Sequence, residues 1–351
     1  MSFVVNIRQH PDPVVVEPGG TVLESALAQG VPYPHGCRSG NCGACKSRLE
    51  SGEVELSPYS PYALSNAERA QGLILACRAV PWSDAVVSWL EVDEIVVHPQ
   101  RRLVCRVAEV APLTHDIRRV RLAIESGGPF TFSAGQYASL RFADLPPRDY
   151  SMATRPDEPV LEFHVRRMGP GSTSAYVAER LTPGEEVIVE GPYGSSWLRD
   201  KHAGPIVAVA GGSGLAPIKA IVETALSQGM RQPIHLYFGV RDERDIYLEA
   251  QFRALAARHE NLRYTPVLSQ PSRSTARRVG LVHEVVAGDL ADLDGAKAYL
   301  AGPPPMVEAA TALLVEARGM RRQDVHADAF YTEAEKAALN APLPEAAAVA
   351  R

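Results

Sequence analysis

The sequence predicts a multidomain protein with three successive fold classes: an α+β domain, an antiparallel β-barrel, and an α/β domain with a parallel sheet. Three observations support this prediction. Four of the five cysteines lie in the first quarter of the chain. Short alternating runs, broken by glycine and proline, fill residues 103–199. From residue 204 onward, continuous apolar runs alternate with helical segments, which is typical of a parallel sheet.

Length and composition exclude several classes of protein. The chain has 351 residues, which at roughly 100–200 residues per domain suggests two or three domains. Its formal net charge of −5 argues against nucleic-acid binding, which requires clustered positive charge. The sequence contains neither a signal-peptide pattern nor an apolar run long enough for a membrane span, so no membrane association is expected. An odd, clustered set of cysteines suggests a metal site in a reducing cytoplasm, since a disulfide scaffold would show a different pattern.

The clustered cysteines have the spacing of an iron–sulfur site. Cys37, Cys42 and Cys45 follow the pattern C-x4-C-x2-C, and Cys77 is a distant fourth. This is the plant-type [2Fe–2S] pattern, whereas zinc sites usually use two separated cysteine pairs. A cluster is therefore preferred over zinc or unrelated thiols. Cys105 lies in a strand-like run and is interpreted as a small buried hydrophobic residue.

The first predicted domain, residues 1–95, has the order strand, helix, cysteine loop. Thr21-Val22-Leu23-Glu24 has the form of a capping box that opens a short helix, and Gly30 ends it. This order predicts a β-grasp ferredoxin domain.

The next two domains are predicted from their periodicity. Residues 100–199 should form the barrel, and residues 203–331 the α/β domain. Predicted strands of the barrel include Leu103–Val107, Val120–Leu122, Tyr137–Phe142 and Glu186–Val189. Predicted elements of the α/β domain are the strands Pro205–Ala210, Ile234–Gly239 and Ala298–Ala301 and the helix Ile218–Leu226. Residues 332–351 are rich in alanine, glutamate and proline and are predicted to be a flexible tail.

Five further motifs follow the cysteine loop in a fixed order. They are Arg148-Asp149-Tyr150-Ser151, Gly191-Pro192-Tyr193-Gly194, Ala210–Pro217, Ala301–Val307 and Asp328-Ala329-Phe330-Tyr331. With the cysteine loop, they make the chain resemble the iron–sulfur flavoprotein reductases of bacterial oxygenase systems, such as those of naphthalene and terephthalate dioxygenases and of multicomponent monooxygenases. The resemblance extends over residues 1–331. It implies a [2Fe–2S] cluster, FAD and a nicotinamide cofactor in one chain.

The resemblance assigns flavin-binding roles in the second domain. A guanidinium at Arg148 suits a diphosphate, a ring at Tyr150 can stack on the isoalloxazine, and a hydroxyl at Ser151 can bond flavin N5. Two further segments are assigned to FAD. They are the strand end His164, Val165 and Arg166, and the helix start Gly171, Ser172, Thr173 and Ser174, where Ser174 and its neighbours could cap the helix. Gly191–Gly194 is interpreted as a structural turn.

The third domain carries the motifs expected to bind the nicotinamide cofactor. Its glycine-rich turn follows an apolar strand and opens a helix, which permits close approach to a pyrophosphate. The residues assigned to this turn are Gly211, Gly212, Ser213, Gly214 and Pro217. Gly302, Pro303 and Met306 match a second family motif, in which Ala301 replaces the usual cysteine. Phe330, preferred over Tyr331, is expected to cover the flavin face and to share the catalytic role with Ser151.

The ribose end of the cofactor should lie after the second strand of this domain. There Asp242 and Glu243 favour a free 2′-hydroxyl, while Arg241 and Arg244 suit a 2′-phosphate. The resemblance favours NADH over NADPH.

The resemblance implies electron transfer from NADH to FAD, then to the [2Fe–2S] cluster, and then to an external acceptor. The expected acceptor is a Rieske dioxygenase, a di-iron monooxygenase or an intermediate ferredoxin, docking near the loop Cys37–Cys45 with Arg38, Ser39 and Asn41 as contacts. One alternative is a reductase serving a deoxysugar-pathway dehydratase. An alternative of another class is a redox-sensing iron–sulfur flavoprotein.

Overall fold

The computed structural model describes residues 2–36, 38, 40, 43–60, 63–90, 94, 96, 98–169, 171–332 and 335. It contains two compact units, one built on residues 1–93 and the other on residues 94–330. Apart from Thr332 and Glu335, the predicted flexible tail lies outside the described residues. No helix in the described part of the chain has the length and apolar character needed to cross a membrane.

The first unit is a small mixed sheet with two short helices. Its strands are β1 (Phe3–Ile7), β2 (Val14–Val16), β3 (Lys46–Ser51), β4 (Val54–Leu56), β5 (Leu73–Leu75), β6 (Ala79–Pro81) and β7 (Ala85–Trp89), and its helices are α1 (Val22–Ala28) and α2 (Asn66–Ala70). The main sheet has the order β2-β1-β7-β3-β5, with β1 parallel to β7 and the other neighbours antiparallel. Strands β4 and β6 form a separate antiparallel ribbon.

The sequence signals for this unit are confirmed, except that only half of the predicted capping box is seen among the described contacts, since the Glu24 carboxylate binds Arg38 Nε at 2.9 Å. Val5 and Ile7 alternate with exposed residues along β1 and are buried in the core. The Thr21 hydroxyl accepts a hydrogen bond from the backbone N–H of Glu24 at 3.3 Å, which caps α1. Gly30, with φ 80°, follows the end of this helix. The predicted order of strand, helix and cysteine loop is therefore present.

The second unit begins with an antiparallel barrel. Its elements are β8 (Arg101–Pro112), β9 (Ile117–Ser126), β10 (Tyr137–Phe142), β11 (Arg148–Ser151), β12 (Val160–Arg166), α3 (Thr173–Glu179) and β13 (Glu186–Tyr193). The strand order is β11-β10-β13-β8-β9-β12, and an antiparallel bridge between Met152 and Phe163 joins the two edges. Cys105 is fully buried inside this barrel, as predicted, and burial raises the pKa of its thiol to about 12.

The second unit continues as a six-stranded parallel sheet. Its strands are β14 (Ile206–Gly211), β15 (Ile234–Val240), β16 (Leu262–Leu268), β17 (Arg278–Val279), β18 (Lys297–Gly302) and β19 (Val325–Ala329), and its helices are α4 (Leu215–Ser227), α5 (Glu249–Arg258), α6 (Val282–Asp289) and α7 (Pro304–Ala312). The order is β17-β16-β15-β14-β18-β19. Side chains of α4 and α5 pack on one face of the sheet, and those of α6 and α7 on the other. Because β14 and β18 are buried on both faces, their sequences are apolar apart from Lys297 at the start of β18, whose ammonium group binds Asp324 at 2.7 Å.

Candidate functional site

Two of the four predicted cluster ligands lie among the described residues. Cys45 and Cys77 are both buried, and neither forms a disulfide within the described part of the chain. The backbone N–H of Cys77 donates a hydrogen bond to Cys45 Sγ at 3.4 Å. Such a bond favours the thiolate form that binds iron. Cys37 and Cys42 lie outside the described residues, so the full set of four ligands remains a prediction.

Three described residues that precede Cys45 have left-handed backbone conformations. Arg38, Gly40 and Gly43 have φ values of 56°, 79° and 73°. A Cβ atom on Gly40 would lie 2.9 Å from Cβ of Tyr59, and one on Gly43 would lie 3.0 Å from the carbonyl oxygen of Ala63. Glycine is therefore required at both positions. Buried thiols, an amide donor at sulfur and a closely wrapped loop fit an anionic [2Fe–2S] cluster.

Two buried hydroxyl groups, those of Tyr33 and Ser47, lie beside the backbone of Cys45. The sequence analysis did not predict them. The Tyr33 and Ser47 hydroxyl oxygens are 2.5 Å apart, and Ser47 donates to the Cys45 carbonyl at 3.1 Å. Burial raises the pKa of the Tyr33 hydroxyl, so it stays protonated. The Tyr33 ring packs edge-on against Trp89, with centroids 5.1 Å apart. This arrangement fixes the backbone of one predicted cluster ligand.

The predicted flavin motif forms β11 at the edge of the barrel. Arg148 is half-buried, and its guanidinium donates to the Pro147 carbonyl at 2.8 Å. The Tyr150 ring packs on the barrel core, 6.4 Å from Phe142, and burial raises the pKa of its hydroxyl. Ser151 is 7% exposed. The three residues therefore follow one another on a short, ordered strand.

The helix after the second flavin segment is capped within the group of residues predicted to cap it. Ser172, and not Ser174, is the N-cap residue of α3, and its hydroxyl accepts from the Ala175 N–H at 3.1 Å. Ser174 lies inside the helix, and its hydroxyl accepts from the Met168 N–H at 3.0 Å. Gly171, with φ 73°, and Thr173 flank the cap. The cap therefore comes from Ser172, one of the neighbours of Ser174 that the prediction included, and the helix begins at Thr173.

The glycine-rich turn joins β14 to α4 as predicted. Gly212, Ser213 and Gly214 form a 3-10 turn, and Pro217 lies in the first turn of α4. A Cβ atom on Gly211 would lie 2.5 Å from Sδ of Met306. The turn therefore packs directly on the second nicotinamide motif.

The second nicotinamide motif lies at the carboxyl end of β18. Gly302 has φ 145°, and Pro303 and Pro304 begin α7. A Cβ atom on Gly214 would lie 2.1 Å from the carbonyl oxygen of Ala301. The two motifs thus form one closely packed backbone surface, which fits a pyrophosphate-binding edge of a parallel sheet.

The four residues predicted near the cofactor ribose differ in their surroundings: the two carboxylates have hydrogen-bond or ion-pair partners, and the two arginines are exposed. The Asp242 carboxylate accepts from the N–H groups of Glu243 and Ser272 at 2.9 and 3.0 Å, and these bonds lower its pKa. The Glu243 carboxylate is bound by Arg277 at 2.7 Å. Arg241 and Arg244 are exposed.

Strand β11, which carries the predicted flavin motif, contacts β19, the last strand of the parallel sheet. Ser151 Oγ lies 3.5 Å from Asp328 Oδ2, although the two residues are 177 positions apart. Phe330, two residues beyond Asp328, is partly buried, and its N–H donates to the Gly302 carbonyl at 2.9 Å. The structure therefore brings both predicted catalytic residues, Ser151 and Phe330, to the end of β19. Asp328 lay within a motif but was not predicted as a site residue.

Family models match the chain in three successive segments. They are a 2Fe-2S iron-sulfur cluster binding domain over residues 5–81, an oxidoreductase FAD-binding domain over 104–197, and an oxidoreductase NAD-binding domain over 208–312. Over 315 residues the chain is 42% identical to a protein of Ralstonia sp.. That relative is named as the ferredoxin–NAD(P)+ reductase component of the naphthalene 1,2-dioxygenase/salicylate 5-hydroxylase systems. The match covers 90% of this chain and 94% of the relative. The chain belongs to this family of iron–sulfur flavoprotein reductases. The reductase carries electrons from NAD(P)H through FAD and a [2Fe–2S] cluster.

Relatives of the reductase have differently named oxygenase partners. The reductase component DmpP of phenol 2-monooxygenase from Pseudomonas sp. (strain CF600) is 35% identical over 96% of this chain and 97% of its own length. The crystal structure of the Amycolatopsis cytochrome P450 reductase GcoB superposes with a TM-score of 0.75 at 36% identity, covering 93% of this chain and 98% of that one. The chain is therefore similar over nearly its full length to reductases that are named for a phenol monooxygenase and for a cytochrome P450.

Proposed function

We propose that this reductase takes a hydride from NADH and delivers single electrons to an oxygenase component, or to an intermediate ferredoxin, that docks near the loop Cys37–Cys45. The observation that supports it best is the approach of Ser151 to Asp328, because it joins the flavin motif to the nicotinamide domain. The relatives are named as components of dioxygenase, monooxygenase and cytochrome P450 systems. A Rieske dioxygenase or a di-iron monooxygenase is the proposed acceptor. Arg38, Ser39 and Asn41 are the proposed contacts.

The barrel residues would hold FAD. Arg148 would bind the diphosphate, Tyr150 would stack on the ring and Ser151 would donate to N5. The strand end His164–Arg166 would border the ring, and Gly171–Ser174 would offer backbone N–H groups to the pyrophosphate. A bound flavin exchanges electron pairs with nicotinamide and single electrons with a cluster.

The nicotinamide cofactor would lie along the closely packed surface of the two glycine motifs. Gly211, Gly212, Ser213, Gly214 and Pro217 would approach its pyrophosphate. Gly302, Pro303 and Met306 would line the nicotinamide end, where Phe330 would cover the flavin until the nicotinamide displaces it. In this arrangement the protein contributes orientation, and no general acid or base is required for the hydride step.

NADH is the proposed donor in preference to NADPH. Asp242 is held as a carboxylate at the expected ribose position by its two N–H donors, and a carboxylate there repels a 2′-phosphate. Arg241, exposed beside it, would contact the ribose or an adjacent phosphate. Comparison of kcat/KM for the two cofactors tests this proposal, and a higher value for NADPH would contradict it.

Replacing Ser151 with alanine tests the flavin site. We expect the rate of flavin reduction by NADH to fall by about 10- to 100-fold, because a donor aimed at the atom that receives charge contributes about 1.5–3 kcal/mol. Stopped-flow absorbance under anaerobic conditions measures this rate. Ser139→Ala, on the neighbouring strand β10, is the matched control and should reduce at the normal rate. Equal rates of flavin reduction in the two variants would show that Ser151 does not act at the flavin site.

A further inference from the structure

A buried polar network joins the barrel to the nicotinamide domain. It begins on β12, where strand alternation places Leu161, Phe163 and Val165 in the barrel core. The side chains of Glu162 and His164, which alternate with them, therefore point away from the barrel core. Both are nonetheless buried, with 8% and 4% exposure. The nicotinamide domain covers them.

Lys219 on α4 reaches this face from the nicotinamide domain. It is 6% exposed, and its ammonium group lies 3.6 Å from Glu162 and 3.0 Å from Glu223. It also donates to the carbonyl oxygen of Ala153 at 2.8 Å, two residues beyond Ser151. A buried ammonium group requires such partners, so these contacts hold the Ser151 segment against α4.

Tyr247 forms a second connection. Its hydroxyl donates to the Gly212 carbonyl at 3.2 Å and lies 3.2 Å from His164 Nδ1. Nε2 of the same histidine lies 3.1 Å from Glu162. The next residue, Leu248, has φ 55°, a left-handed conformation that is unfavourable for a residue other than glycine, and its side chain packs on the core of the nicotinamide domain.

The charge on Glu162 is maintained in this network. Burial opposes its ionisation, but the hydrogen bond to His164 and the charge of Lys219 lower the pKa of the carboxyl to about 2. The carboxylate therefore links the Lys219 and Tyr247 connections at neutral pH.

We propose that Glu162, His164, Lys219 and Tyr247 form an interdomain clamp that positions the glycine turn at Gly212 relative to the Ser151 strand. The clamp residues are positioning residues, because they act through the Gly212 carbonyl and the Ala153 carbonyl. Hydride transfer requires the reacting atoms to be about 3–3.5 Å apart, and a displacement of about 1 Å can reduce the rate by about 100-fold. The clamp would set this distance. The inference rests on the proposed binding of the cofactor pyrophosphate at the glycine turn.

Tyr247→Phe in the holoenzyme tests the clamp, because it removes one hydroxyl and keeps the ring packed on Phe238, with centroids 5.4 Å apart. We expect the dissociation constant for NAD+, measured by calorimetry, to rise about three- to tenfold, the factor expected for one lost hydrogen bond. The rate constant for flavin reduction at saturating NADH should fall about tenfold. The flavin absorbance spectrum and reduction by dithionite should not change.

Tyr264→Phe is the matched control. Tyr264 is a partly buried tyrosine on β16 whose buried hydroxyl oxygen has no hydrogen-bond partner within the described part of the chain. Its removal should change neither NAD+ affinity nor the reduction rate. If both quantities agree within twofold between the two variants, the clamp is disproved. If the unaltered holoenzyme fails to bind NAD+, the proposed function fails instead, so the two failures are distinguishable.

A second pair of variants decides the matter if Tyr247→Phe lowers the melting temperature more than the control does. His164→Asn keeps an amide near the Nδ1 position that faces Tyr247, whereas His164→Gln keeps one near the Nε2 position that faces Glu162. We expect His164→Asn to retain more of the NAD+ affinity than His164→Gln. Equal affinities in this pair would overturn the proposal.

Discussion

Replacing Cys45 with serine is expected to abolish NADH-driven reduction of cytochrome c while leaving NADH-driven reduction of ferricyanide. Cys45 is buried in the cluster loop, and its sulfur accepts an amide hydrogen bond from Cys77. Serine keeps the size of the side chain but removes the thiolate that binds iron. Ferricyanide can take electrons directly from the flavin, whereas cytochrome c reduction should require the cluster. Both rates are measured by absorbance with the same enzyme preparation.

Cys105→Ala provides the control for this experiment. Cys105 is a buried thiol in the barrel core, outside the cluster loop. This variant should keep the visible spectrum of the cluster and both activities. If Cys45→Ser keeps cytochrome c reduction at the rate of the control, the proposed electron path is wrong.

Replacing Gly214 with alanine is expected to block the nicotinamide site. Gly214 has φ −61°, which any residue can adopt, so the effect would be purely steric. The new Cβ would lie 2.1 Å from the Ala301 carbonyl oxygen, a distance that forces the glycine turn and the end of β18 apart. Flavin reduction by NADH should fall by at least about 100-fold, since a displacement of about 1 Å at the site has that effect. The cluster spectrum should persist, because the cluster belongs to the other compact unit.

Gly288→Ala is the matched substitution in the same domain. No atom lies within 4 Å of the position of its new Cβ, and the residue belongs to α6. Alanine favours a helix by about 1 kcal/mol over glycine, so stability should not fall. Stopped-flow reduction by NADH compares the two variants. Normal reduction in Gly214→Ala would show that the two glycine motifs do not form the cofactor surface.

Elements with strong periodicity could be predicted from the sequence. Tyr137–Phe142 was predicted as a strand with the bounds of β10, and Pro205–Ala210 differs from β14 by one residue at each end. These segments are recognisable because burial dictates their pattern locally. The start of α3 was less predictable, since three successive hydroxyl residues offer alternative caps, and the structure uses Ser172.

Contacts between distant segments could not be predicted from local sequence. Ser151 and Asp328 meet only because the barrel packs against the last strand of the parallel sheet. Tyr247 follows no motif, and its role depends on a histidine 83 residues away. Such partners carry no periodic signal, because their spacing is set by tertiary packing. The motifs therefore predicted the cofactors, and the structure shows which side chains join the barrel to the parallel sheet.

The central claim is that electrons from NADH reach the cluster through the flavin. It is tested most directly by mixing the holoenzyme anaerobically with NADH and recording the electron paramagnetic resonance spectrum. We predict bleaching of the flavin absorbance and the paramagnetic signal of a reduced [2Fe–2S] cluster, and the signal should be lost in Cys45→Ser. A bleached flavin with no cluster signal, in a preparation shown to contain iron, would contradict this account.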